Sequence, residues 1–146
     1  MAAPQSAQNH TRWDPVFHFF LAPVLLINLV ESVIWCVHHF GIHPRAGIWY
    51  IVMSLALFLL AGTMRRYSLT VQDRVIRLEE RLRLAALAPA AEFPLLQNLT
   101  IPQYVALRFA SDAEVPALAL HAAQENLTPK QIKASISTWR PDDHRV

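Results

Sequence analysis

VFHFFLAPVLLINLVESVIWCV, residues 16–37, and AGIWYIVMSLALFLLAGTM, residues 46–64, decide the fold. The first holds 22 residues and, apart from an end-proximal His18, one acidic or basic side chain, Glu31. The second holds 19 residues and no acidic or basic side chain. At about 1.5 Å rise per residue each spans roughly 28–33 Å, the thickness of a bilayer's hydrocarbon core. Lipid offers backbone groups no hydrogen-bond partners, so both stretches are expected to be α-helices.

Working outward, Trp13-Asp14-Pro15 reads as a helix start, with Asp14 able to cap, Pro15 suited to the first helical position and Trp13 to the headgroup layer. Pro23 removes one ladder bond and predicts a mild kink. The long apolar core, the weakly basic start and the lack of a small-x-small cleavage site argue for a retained helix, not a cleaved signal peptide. Residues 38–46, with Gly41, Pro44 and a single Arg45, read as the turn of a helical hairpin. Arginines crowd after the second stretch and hardly occur in the turn, which predicts both termini in the cytoplasm. Cys36 stands alone, so no intrachain disulfide can form.

Past residue 64 nothing stops the second helix before about Leu87. Val71, Val75, Leu78, Leu82 and Ala85 recur at heptad spacing and predict either a self-associating coiled-coil stalk or an amphipathic helix that receives the chain's own tail. Asp73 with Arg77, and Glu79 with Arg83, are expected i,i+4 pairs. Three capping boxes follow, Thr100 with Gln103, Ser111 with Glu114 and Thr128 with Gln131, each predicting a short helix. Leu107, Phe109, Val115, Leu118, Leu120, Ile132, Ile136 and Trp139 are the expected core. That is a small core for an isolated domain, so docking on residues 71–87 or on another protein is expected. A polar network between stalk and tail, Arg74 or Arg77 with Asp112 or Glu114, is expected to help.

The chain therefore reads as all-α: a two-helix transmembrane hairpin, a second helix continuing into a cytoplasmic stalk, and a small bundle of three short helices. Its 146 residues divide into a polar arm (1–12), the hairpin (13–65), the stalk (66–87), a Pro/Ala-rich linker (88–97) and a helical C-terminal module (98–146). Residues 98–146 carry five basic side chains (Lys, Arg) against five acidic ones, a balance that argues against nucleic acid as a partner.

No phosphate-binding glycine loop, nucleophile elbow, Cys-x-x-Cys or paired-carboxylate motif is present, so no catalytic residue, cofactor or small-molecule substrate is expected. Glu31, with Asn28 on the same helix face, points to a polar contact specifying helix association, or to an ion relay completed by other chains. His38, His39 and His43 cluster at the outer turn; they are weak metal candidates, because no acidic side chain or cysteine in the turn joins them. The interaction residues expected are thus Asn28, Glu31, Val71, Arg74, Val75, Arg77, Leu78 and Leu82.

DPVFHF (residues 14–19), VQDRVIRLEERLR (71–83), ALRFASD (106–112), LTPKQIK (127–133) and WRPD (139–142) together resemble a family of small bacterial two-span membrane proteins of unknown function. The resemblance implies a two-span anchor in the bacterial inner membrane with a cytoplasmic helical tail, and implies no activity. The reading is a non-enzymatic membrane protein whose partners are lipid and either further copies of itself or a larger membrane complex. The alternative is an accessory redox or transport subunit, in which Glu31 or His38 and His39 contribute to a site completed by partner chains.

Overall fold

A computed structural model describes residues 14–141; the expected arm at 1–12, Trp13 and Asp142 lie outside the described residues. The fold is all-α. A π-helical turn, Val16–Leu21, leads into α1 (Ala22–His39), and α2 runs without interruption over Pro44–Leu87. Four short helices follow: α3 (Phe93–Leu96), α4 (Ile101–Leu107), α5 (Val115–Gln124) and α6 (Pro129–Ser135). Two compact units result, residues 14–69 and 70–141 within the described range.

In the first unit, Asp14 starts the helix as expected: its Oδ1 accepts from the backbone N–H of Val16 at 3.1 Å and of Phe17 at 3.2 Å. The kink expected at Pro23 takes the form of the π-helical turn just before it, where the Ala22 N–H reaches back to the Phe17 carbonyl. A widened turn accommodates a proline ring that would clash with a carbonyl in the α-helical ladder. The turn between α1 and α2 is shorter than the sequence suggests. Pro44 starts α2, leaving only Phe40–His43 outside both helices, because proline is pre-organised for a first helical position. Val16–His39 and Pro44–Leu87 are both long and apolar enough to cross a membrane.

The second unit is built on the last turns of α2. Leu84 joins Leu96, Leu99, Tyr104, Leu107, Phe109, Val115, Leu118, Ile132 and Ile136 in one core. Leu120 and Trp139, expected inside, are half-buried, Trp139 against Phe109 at 5.2 Å between ring centroids. Residues 88–97, read as a linker, supply α3 and the buried Leu96.

The expected capping boxes at Thr100 and Thr128 form, Gln103 and Gln131 each accepting from the cap N–H at 2.8 Å. The third forms only in part. Glu114 accepts from the Ser111 N–H at 3.2 Å, but residues 112–114 are a turn and α5 begins at Val115. The Glu114 carboxylate also accepts from the N–H groups of Ser137 and Thr138, each at 3.2 Å, so it ties the C-terminal segment to the start of α5. Asn126, at φ 49°, ends α5 in the left-handed conformation, and the Leu127 N–H closes back on the Ala122 carbonyl.

Candidate functional site

Two surfaces of α2 within residues 70–87 carry opposite chemistry. One face belongs to the module. Leu84 is 1% exposed and Glu80 is 5% exposed on it, and Ile76 is buried one turn earlier. Arg83 pins that face. Its Nε donates to Asp112 Oδ1 at 2.7 Å, one terminal nitrogen to Glu80 Oε2 at 3.0 Å and the other to the Ala110 carbonyl at 2.7 Å. Burial pushes the Glu80 carboxyl above its ordinary pKa, while the Arg83 guanidinium and, after it, Arg140 pull it down. Burial likewise raises the Tyr104 phenol, opposed by Arg81 and Arg77, and its O–H donates to the Leu96 carbonyl at 2.7 Å.

The polar network between stalk and tail therefore exists, but through a different arginine. Asp112 pairs with Arg83, not with Arg74 or Arg77, and Glu114 is committed to backbone N–H groups. Arg74 is exposed, and Arg77 Nε is buried without a hydrogen-bond partner. Neither expected i,i+4 pair is among the ion pairs of the described residues; in the second, Arg83 turns to Glu80 and Asp112 instead of Glu79.

The other face is the heptad row. Val71, Val75, Leu78 and Leu82 are 59%, 46%, 60% and 64% exposed. At 3.6 residues per turn this row lies roughly half a turn around the helix from Glu80 and Leu84. The tail thus docks on the stalk without covering the apolar row. Arginines edge the row on one side, where Val71, Arg74, Val75, Arg77, Leu78 and Arg81 line an open groove. Single exposed apolar side chains need no explanation, but two valines and two leucines in one periodic row form a patch of the kind that marks an interface.

Within residues 14–69 the two helices meet through small residues. The Ser32 hydroxyl donates to the Asn28 carbonyl at 2.7 Å, Asn28 Nδ2 donates to Ser54 Oγ at 2.8 Å, and the Ser54 and Ser32 hydroxyls lie 2.7 Å apart. A Cβ on Gly47 would lie 2.6 Å from Cys36 Sγ, so these helices approach as closely as a glycine permits. Asp14 and Arg65 pair at 3.4 Å, joining the start of the first helix to α2. Asn28 is therefore engaged inside the hairpin. Glu31 is exposed, and its carboxylate has no hydrogen bond or ion pair among the described residues.

His39 stacks on Trp35 at 4.5 Å between centroids, and its Nδ1 lies 3.0 Å from the Trp35 carbonyl. Helix α1 ends at His39, one further α-turn is closed by the His43 N–H on the His39 carbonyl at 2.8 Å, and His38 and His43 are exposed. Among the described residues no three His, Cys, Asp or Glu side chains come together to hold a metal ion.

Sequence reasoning gave Arg83 to Glu79 and assigned no packing role to Ser32, Cys36 or Gly47. The signals were present: Ser32 and Cys36 stand four apart on α1, and Gly47 and Ser54 stand seven apart on α2. A Cβ added at Gly62, by contrast, has nothing within 4 Å.

A model of the DUF6526 family, described as a family of unknown function, matches residues 1–146, and the chain belongs to that family. No curated protein and no solved structure matches significantly.

Proposed function

We propose that this member of the DUF6526 family is a non-enzymatic integral membrane protein that assembles with other protein chains through its stalk. The apolar residues of 16–39 and 44–64 insert as a hairpin, and the arginine-rich residues that follow lie at the cytoplasmic surface, with both termini on that side. The module docked on Leu84 and Arg83 gives the stalk a fixed polar face. The observation that carries the reading is the row Val71, Val75, Leu78 and Leu82, left exposed although the chain's own tail packs on the same helix turns. Glu31 adds support, because a carboxylate near the middle of a span is costly unless another chain or a proton satisfies it.

Alkaline extraction of membranes, followed by size analysis of the detergent-solubilised protein, tests the proposal. The chain is expected to stay with the membrane at high pH and to leave it in detergent as a complex larger than one copy. Release by alkali alone would refute membrane insertion. A solubilised single chain would refute assembly.

The exposed Glu31 also favours a second reading, an accessory redox or transport subunit whose site partner chains complete. Metal or haem retained in the purified complex and lost on His38→Ala or His39→Ala would favour it.

A further inference from the structure

We propose that the exposed stalk row is covered by the same row of a second copy of this chain, the two stalks running parallel and in register. The inference rests on membrane insertion as read above and names the partner that the surface takes. In heptad terms Val75 and Leu82 stand at a, Val71 and Leu78 at d. The residues committed to the module, Glu80, Arg83 and Leu84, stand at f, b and c, away from that core. Two stalks can therefore close on each other while each keeps its module on the outside. In the middle of the row Val75 at a with Leu78 at d follows the pattern that favours two strands, whereas Val71 at d and Leu82 at a do not, so the flanking charges carry the choice.

The flanking charges choose the orientation. Arg74 and Arg81 occupy g, and Gln72 and Glu79 occupy e. In a parallel pair each g side chain faces the e side chain of the partner's next heptad, which sets Arg74 against the partner's Glu79, twice by the two-fold axis. In an antiparallel pair g faces g, and the arginines oppose each other. Both groups are available. Arg74 and Glu79 are exposed, and neither is in an ion pair among the described residues, since Arg83 has been drawn off to Glu80 and Asp112.

A row of about two heptads is too short to hold free helices together in water. Two copies inserted in one bilayer with the same orientation present their stalks side by side, and confinement to that plane raises the effective concentration of one for the other. The shortness of the row thus fits a surface that closes only between anchored chains.

The experiment uses the full chain in lipid vesicles. Wild type, whose only cysteine is the buried Cys36, is the cross-linking control. Val71→Cys is expected to cross-link to itself under mild oxidation. A mixture of Val71→Cys and Leu82→Cys chains that cross-links only between the two kinds would show antiparallel stalks and overturn the proposal. Arg74→Glu is expected to weaken the pair by about tenfold, and Arg74→Glu with Glu79→Arg to restore most of that loss. Unchanged hydrogen exchange in residues 93–136 shows that the module has not been disturbed. A vesicle-embedded single copy, or a stalk bound instead to a different protein, overturns the proposal while leaving membrane insertion standing. Failure of the chain to insert is read separately, by alkaline extraction.

Discussion

Arg83→Met should undo the docking of the module on α2 more than any other single change of comparable size. The substitution removes three hydrogen bonds of very different worth. The bond to Asp112 matters least, because that side chain is 70% exposed and water replaces the arginine. The Glu80 side chain is 7% exposed, and losing its counter-ion leaves a buried carboxylate uncompensated, at about 3–5 kcal/mol for such pairs. Glu80 escapes part of this by taking a proton, which its raised pKa already favours. The Ala110 carbonyl, in a residue with 0% exposure, loses its arginine donor, at about 1–3 kcal/mol. The net expectation near neutral pH is about 3 kcal/mol, or about two decades in the protection of module amides against hydrogen exchange. Glu80→Met together with Arg83→Met should recover about half of the loss, since it removes the stranded charge as well. Exchange measured by mass spectrometry on the full chain in lipid nanodiscs reads both variants. A fall of less than about tenfold for Arg83→Met, or a double variant no better than the single, would refute the network as the pin between helix and module.

The titration of Glu80 gives a prediction of definite sign. A carboxyl with a raised folded pKa binds its proton more tightly in the folded chain, so its contribution to stability is present below the unfolded pKa and is lost as pH rises through the folded value. The stability of Glu80→Gln relative to wild type should therefore rise with pH just above the ordinary carboxylate range; a ratio independent of pH would count against the burial of Glu80. Gly47→Ala should push α2 away from Cys36 and speed alkylation of that cysteine, whereas Gly62→Ala, with nothing within 4 Å of the new methyl, should leave the rate unchanged. Equal rates in the two variants would contradict the close packing. Gln131→Ala, at an exposed capping box, should lower module stability by about 1 kcal/mol in urea unfolding. Gln103→Ala should cost about 2 kcal/mol, because Gln103 is buried and its amide also donates to the Leu127 carbonyl at 3.0 Å.

The helices of the hairpin and the existence of short capped helices were legible because each depends on local sequence: uninterrupted apolarity for the first, a hydroxyl and a glutamine three apart for the second. What depended on which face meets which was less legible. The heptad row is plain in the sequence, yet periodicity alone does not say whether the tail covers it; Leu84, outside the row, decides that. Arg83 lies among six arginines in residues 65–87, and only the turn that brings Asp112 and the Ala110 carbonyl to it sets it apart. Glu114 has the spacing of a capping box, but its carboxylate also serves Ser137 and Thr138, and a distant segment is invisible to a local motif. At Pro23 the missing N–H was legible, whereas its accommodation by a π-helical turn depends on the whole preceding ladder. Gly47 escaped notice because it stands near the start of the second apolar stretch, and nothing local says that Cys36 lies opposite it.

The native mass of the intact protein, released from lipid nanodiscs in the spectrometer, tests the central claim most directly. Two copies of the 16.6 kDa chain are expected, with a larger single-copy fraction in Arg74→Glu that falls back most of the way when Glu79→Arg is added. A single copy from wild type, or a complex whose extra mass belongs to another protein, would contradict pairing of the stalks.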